Sequence, residues 1–223
     1  MPYRRTENVA RRLAARHDAI IAAARLIASE GGMAAVQIAA VAARAGIAAG
    51  TVYRYFPGKT DLVAALLDQI AESEIGALRR AAAGAPGPLS ALSAAIMTFA
   101  ARALRERRLA FAAIAEPVDA ELDAVRLAFR KSLAAELGTR IAAAIAEGRM
   151  PEQDTAVAAA ALTGLLIEGL IGPLAPDAAG REREIVQTLT LTALRALGVA
   201  DARARGLVVQ TAMPPAAGAS PAE

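Results

Sequence analysis

The chain is predicted to be all-α, and three observations predict it. Alanine dominates a composition that is 56% hydrophobic and only 3% aromatic, and alanine is the strongest helix former. No segment sustains the apolar–polar alternation of a strand, and the hairpin dipeptides Asn-Gly and Asp-Gly are absent. Apolar residues instead recur at helical spacing between breaks at Gly31-Gly32, Gly46, Pro57-Gly58, Pro117, Gly148, Pro173 and Gly198.

The first helix is expected over residues 9–29, where Ile20, Ile21, Ala23, Ala24, Leu26 and Ile27 form an apolar stripe. Gly31-Gly32 ends it, because a glycine at positive φ terminates many helices. A second helix is expected over 37–45 with Val41 and Ala42 facing inward. Gly46 makes the turn, and Ile47 is expected to plug it. A third helix over 49–56 stops before Pro57-Gly58. Thr60 and Asp61 begin a long helix to about residue 82, with Leu62, Leu66, Leu67 and Ile70 on its inner side. Either residue can cap free amides there, and Asp61 suits the positive end of the helix dipole.

Residues 83–88 are small and proline-rich, the clearest internal loop. Further helices are expected over 89–104, 107–115, 119–147, 152–171 and 181–197. The second of these ends at Glu116-Pro117, since the residue before proline disfavours helix. From Ala202 the helical pattern fades into Pro214, Pro215 and Pro221, and residues 201–223 are expected to be a disordered tail. The chain thus divides into residues 1–60, a connecting helix and loop over 61–85, a second helical domain over 86–200, and the tail. No internal repeat is visible.

Several function classes fall away. With no cysteine, disulfides, zinc ribbons and thiol nucleophiles are excluded. The single histidine, His17, keeps step with Leu13, Ile20, Ala24 and Ile27, which reads as a partly buried packing residue and not a metal ligand. No nucleophile–base pair, phosphate-cradling glycine loop or metal cluster is present, so no enzyme, cofactor or metal is expected. Arg25 interrupts the apolar run at 19–28 and Glu30 follows before any cleavage-like site, which argues against a signal peptide. Residues 155–175 are the one membrane candidate, but Glu168 near their centre would cost about 2.5–3.5 kcal/mol on insertion scales. A helix covered on several sides is the better account, and a cytoplasmic, membrane-free protein is expected.

Chemistry concentrates near the N-terminus. Net charge is only +3, yet Arg4, Arg5, Arg11, Arg12 and Arg16 stand against Glu7 alone in the first sixteen residues. For residues 1–8, an arm that follows phosphates and a solvated tail are equally good readings. Residues 39–59 read as two short helices about Gly46, a helix-turn-helix whose second helix can enter the DNA major groove. That helix carries Thr51, Tyr53, Arg54 and Tyr55, followed by Lys59: hydroxyls and cations suited to phosphate oxygens. The chain's three tyrosines are Tyr3, Tyr53 and Tyr55, and its two lysines are Lys59 and Lys131. Arg54 fits a bidentate guanine contact and a phosphate contact equally well. Arg44 is read as structural or phosphate-directed. Ala39, Ala40, Ala43, Ala48 and Ala49 offer methyls but no hydrogen bonds, so much of the sequence preference is expected to be indirect.

The run from Val41 to Lys59 (Val-Ala-Ala-Arg-Ala-Gly-Ile-Ala-Ala-Gly-Thr-Val-Tyr-Arg-Tyr-Phe-Pro-Gly-Lys) and the following Asp61-Leu62 resemble the TetR family of bacterial transcriptional regulators. Two departures stand out. The family has Thr where Gln37 stands and Ser where Ala48 stands. Losing such a cap costs roughly 0.5–2 kcal/mol, so weaker positioning of the second helix is expected, although the Gln37 amide could still donate to a phosphate. The resemblance implies phosphate roles for Thr51, Tyr53 and Lys59, and a DNA surface that also includes Gln37, Arg44, Ala48, Ala49, Gly50, Arg54 and Tyr55. It implies a homodimer on a near-palindromic double-stranded operator, released by a small molecule bound in the second domain.

The second half carries no fingerprint. Met97, Phe99, Phe111, Phe129 and Leu133, with the polar Glu116, Thr163 and Glu168, are the candidate effector-binding residues. Without Trp or Tyr there, a small hydrophobic effector is expected. Glu168, a carboxylate on a greasy helix, fits a pocket or a subunit interface. Leu162, Leu165, Leu166, Ile171, Ile185, Leu189 and Leu194 are the candidate dimer surface, since a helix apolar nearly all round needs cover on more than one side. An all-helical carrier of a small hydrophobic molecule, without DNA function, is the alternative.

Overall fold

The computed structural model describes residues 3–117 and 119–212, with backbone alone for residues 3–8. Ten α-helices follow one another: α1 (Tyr3–Gly31), α2 (Ile38–Arg44), α3 (Ala49–Tyr53), α4 (Lys59–Ala83), α5 (Pro88–Arg105), α6 (Arg107–Ile114), α7 (Ala120–Ala146), α8 (Thr155–Leu170), α9 (Glu182–Ala196) and α10 (Asp201–Gln210). A 3-10 turn, Met33–Ala35, links α1 to α2. No strand occurs among the described residues, as the composition requires.

The helices form two compact units. The first contains the chain up to Ile70 together with Arg108–Leu127; the second contains Ala71–Arg107 and the chain from Ala128 onward. The division is not contiguous in sequence. The segment at 108–127, which the sequence alone groups with the second domain, packs with the first unit.

In the first unit, α1 buries Ile20, Ile21, Ala24 and Ala28, with Val41 of α2, Val52 of α3 and Leu62 and Leu66 of α4 equally enclosed. Their spacing on α1 and α4 is the i, i+4 spacing of one helix face. In the second unit, α5 packs against α8, α9 and α10. Ala95, Ile96, Met97 and Ala100 of α5 are fully buried, and Phe99 is 2% exposed. Asp154 starts α8 by accepting the N–H groups of Ala156 and Val157 at 2.8 and 3.0 Å, which satisfies two of its free donors. Glu136, buried on α7, receives the guanidinium groups of Arg79 and Arg140.

The expected helices are all present, with α1 beginning well before residue 9. One further helix was not legible. α10 occupies residues that the sequence assigns to a disordered tail, and its apolar side is only Ala204, Leu207 and Val208. Asp201 anchors it: the carboxylate binds Arg205 one turn on and Arg195 of α9, and both hold its pKa below the usual carboxylate range. Residues 213–223 of the expected tail lie outside the described residues. Among the described residues no helix is long and apolar enough to cross a membrane.

Two substitutions test this packing. Gly46 has φ 67°, so Gly46→Ala is expected to cost about 1–2 kcal/mol by the left-handed penalty alone; no side chain crowds the position. Phe99→Ala is expected to cost about 3–5 kcal/mol. Urea unfolding of each variant reads both values.

Candidate nucleic-acid interface

The interface is built by a turn. Ala45 ends α2, and Gly46 takes the positive φ that lets the chain reverse. The Ile47 N–H returns to the Ala42 carbonyl at 3.0 Å, closing the turn. Ile47 itself is half-buried and not the fully enclosed plug the sequence pattern predicts. Ala48 precedes α3 in extended conformation and offers no side-chain cap. The Thr51 N–H bonds the Ala48 carbonyl at 2.8 Å, so the backbone alone starts the helix.

α3 is short, and two anchors fix its roll. Val52 is fully buried and Phe56, just beyond it, is 4% exposed. Tyr55 and Phe56 both donate to the Val52 carbonyl at 2.9 Å, prolonging the helix by one irregular turn. With these anchors inward, Tyr53 stands 54% exposed, and Arg54, Ala48 and Gly50 are exposed beside it. Ala49, Thr51 and Tyr55 are half-buried along the edge. Lys59, exposed, is the first residue of α4. Its ammonium therefore stands at a helix N-terminus, where unpaired N–H groups and the dipole also favour an anion. The surface presents a phenol, a hydroxyl, a guanidinium and an ammonium, all donors to phosphate oxygens.

Two candidate DNA residues have local partners. Gln37 donates its amide to the Ala34 carbonyl at 3.0 Å. Arg44 forms a two-pronged pair with Glu30 at 2.9 and 2.6 Å, which lowers the Glu30 pKa and raises that of Arg44. Both residues are exposed, but each starts from an intramolecular bond that DNA has to replace. The sequence pattern did not single out Glu30; the i, i+14 separation crosses the turn and leaves no periodic trace. Arg12 and Arg16 are exposed on α1, so the basic segment is helical from Tyr3 onward. The side chains of Arg4 and Arg5 lie outside the described residues. His17 is a surface residue, 46% exposed at its side chain, with its ring 5.2 Å from that of Phe56.

Glu116 contacts the turn that follows α1. One carboxylate oxygen accepts the Met33 N–H at 2.9 Å, and the carboxylate lies where a Cβ on Gly32 would stand, 2.7 Å away. Gly32 has φ 80°. A glycine is thus required there twice, for its backbone and for the space Glu116 fills. Nearby, Arg126 is 5% exposed, donates to the Ala112 carbonyl at 2.5 Å, and keeps its Nε without an acceptor. Burial pulls its pKa down, against the opposing pull of Glu116 and Asp123.

The remaining effector candidates are dispersed. Phe111 and Glu116 belong to the first unit; Met97, Phe99, Phe129, Leu133, Thr163 and Glu168 belong to the second. Met97, Phe99, Phe129 and Leu133 are buried packing residues, whereas Phe111 is 38% exposed. Thr163 donates to the Ala159 carbonyl of its own helix at 2.8 Å. Glu168 accepts the Leu174 N–H at 3.2 Å and so braces the turn after α8.

The candidate dimer residues divide by exposure. Leu162, Leu166, Ile171, Ile185 and Leu194 are buried within the single chain, so their apolar surface is already used. Leu165 and Leu189 are half-buried. The outer side of α8 and α9 is a groove of about 320 Å³ lined by Val157, Ala161, Leu165, Ala193, Ala196 and neighbours. Val157 is 65% exposed.

Residues 20–66 match the model of the family described as bacterial regulatory proteins, tetR family. Over 71 residues, 31% of this chain, the sequence is 48% identical to the HTH-type transcriptional repressor KstR of Mycobacterium tuberculosis (strain ATCC 25618 / H37Rv), and the match spans 32% of that protein. The chain thus aligns with about a third of the length of this curated relative. Two solved structures share the fold over nearly the whole chain. The SmeT–triclosan complex superposes with TM-score 0.70 at 21% identity, covering 91% of this chain and 98% of the other. RolR in complex with resorcinol gives 0.66 at 23%, covering 92% and 98%. The matched segment contains α2, α3 and the outward donors of the turn, and over that segment the chain is similar to the tetR family of bacterial regulatory proteins.

Proposed function

We propose that the protein is a ligand-responsive transcriptional regulator that binds a near-palindromic operator as a homodimer and leaves it when a small hydrophobic effector binds the second unit. It is a binding protein and not an enzyme. One observation carries the DNA reading: burial of Val52 and Phe56 turns Tyr53 and Arg54 out together, with Lys59 exposed at the start of α4. A carrier of small molecules has no use for such a face. Phosphate contacts fix register, and Arg54 is the side chain able to read a base edge.

Dimerisation is supported by the groove between α8 and α9 and by the exposure of Val157 on a helix otherwise rich in alanine and leucine. A second copy laid along this side would cover Val157, Ala161 and Leu165 and leave the buried leucines in their own core. A two-fold pair sets its reading helices about one DNA turn apart, roughly 34–36 Å or a multiple. The effector reading is supported by the absence of Trp and Tyr beyond Tyr55. The similar proteins SmeT and RolR were solved with triclosan and resorcinol.

Glu116 supplies a route for control inside the first unit. It ties the end of α6 to the turn that leads into α2. A shift of the segment at 108–127 therefore bears on the seat of the helix-turn-helix.

Fluorescence anisotropy on palindromic and scrambled duplexes tests the DNA reading. Tyr53→Ala and Lys59→Ala are expected to weaken binding alike on all sequences, and Lys59→Ala to reduce the salt slope by about one unit. Arg54→Ala is expected to change preference at one or two base pairs, with each lost base contact worth about 1–3 kcal/mol. Parental binding by both Tyr53→Ala and Lys59→Ala sinks the assigned roles. A monomer that ignores every duplex at low salt sinks the whole reading. For the tie, Glu116→Ala strands the Met33 N–H and is expected to cost about 1–3 kcal/mol in urea unfolding. Glu116→Gln keeps an acceptor and is expected to lose less, with operator affinity following the same order.

A further inference from the structure

A second cavity of the second unit lies apart from the candidate effector residues. It has a volume of about 680 Å³ and is walled by the C-terminal part of α4, the outer side of α5 and the end of α10. That volume lies within the roughly 300–1,000 Å³ of small-molecule sites. Its floor is apolar and made of small side chains, Ala77 and Ala81 of α4 and Ala94 of α5, with Leu207 of α10 opposite. Helix surfaces close-pack when facing side chains fill the space between them. Here the lining of the helices is made of small side chains, and the space stays open.

The polar part of the lining has one sign. Arg80, Arg102 and Arg105 line the cavity, and no carboxylate does. The acids nearby are Glu74, which receives Arg102 at 2.7 and 2.6 Å, and Glu106, which also acts on Arg102 through its charge. Arg80 and Arg105 are exposed on the wall, and Arg102 is paired with Glu74. The pair with Glu74 uses Nε and Nη2 of Arg102 and fixes the plane of its guanidinium, so the group is held in place before any ligand arrives. Thr98 and Thr211 add hydroxyls to the wall. Thr211 is itself held by Ser93, a fully buried residue of α5, at 2.9 Å, which pins the end of α10 over the cavity.

We propose that this cavity binds an amphipathic anion, a small molecule with an apolar body on the alanine floor and a carboxylate or phosphate head between Arg80 and Arg102. The apolar floor excludes a simple inorganic anion as the best fit, because it leaves that surface wet. The cationic wall favours an anionic head over a neutral one, which offers Arg80 and Arg102 no charge to pair with. Such a ligand clamps α10 and α5 onto the same long helix, α4, that begins at Lys59.

The test is isothermal titration of the full chain with decanoate, decyl phosphate, decanol and inorganic phosphate. Decanoate or decyl phosphate is expected to bind saturably, and the tighter of the two identifies the head group. Decanol is expected to bind about tenfold or more weakly, the worth of one charge-assisted hydrogen bond. Arg80→Gln, at an exposed position, is expected to weaken the anion about tenfold and leave decanol unchanged. Ala94→Leu fills the floor and is expected to remove this binding event, with the thermal melt checking that the chain stays folded. Unchanged affinity in both variants overturns the proposal, as does decanol matching the anions. Inorganic phosphate matching decyl phosphate overturns it too, since the apolar floor then contributes nothing. If Ala94→Leu unfolds, Arg80→Gln alone decides.

Discussion

A helix of five residues cannot sustain itself in water, because nucleation costs more than so few hydrogen bonds return. α3 persists because the first unit encloses Val52 and Phe56. These two side chains are four positions apart, so they share a face, and their burial fixes the roll of everything between and beside them. Tyr53 and Arg54 point outward as a result, on a helix whose start has no side-chain cap. The proposed DNA face is therefore a by-product of core packing. Its precision is the precision with which the first unit holds Val52 and Phe56.

The same dependence extends to the segment at 108–127. Glu116 satisfies a backbone N–H in the turn leading to α2, and Gly32 leaves it the space. A carboxylate of that kind is costly to strand and easy to mislay: a small displacement removes the acceptor without offering another. Arg126 compounds this, since it is buried with one nitrogen unsatisfied and lies within the field of Glu116. An arrangement with an orphan donor sits above the free energy of a fully satisfied one.

How much of this was legible follows from what leaves a periodic trace. The helices α1 to α9 were readable because glycines and prolines punctuate long apolar stripes. The outward residues of α3 were readable because a helix-turn-helix fixes their spacing. α10 was not: three apolar residues, Ala204, Leu207 and Val208, give almost no stripe, and its hold on the fold comes from Asp201 reaching back to Arg195. The Arg44–Glu30 and Glu116–Met33 bonds join residues 14 and 83 positions apart, and no local pattern encodes such a pairing. The leucines assigned to a dimer surface illustrate a different limit. Apolarity says that a residue needs cover, not whether its own chain or a second copy supplies it. Leu162 and Leu194 are covered at home; Val157 is not.

Alanine has two opposite effects in this chain. Where α5 meets its neighbours inside the second unit, Ala95 and Ala100 are fully buried, and their small size lets helices approach closely with little side-chain entropy lost. Where Ala77, Ala81 and Ala94 line the space walled by α4, α5 and α10, the same small side chains leave a cavity. Which effect wins depends on whether a long side chain opposes the alanine. Phe99, Ile96 and Met97, on the same helix as Ala95 and Ala100, fill the core beside them. On the outer side of α5 the long residues are Arg102, drawn to Glu74, and the exposed Arg105, so the floor stays uncovered. A sequence this rich in alanine therefore sets its cavities by the positions of a few large residues, and the arginines decide which of those cavities carries charge.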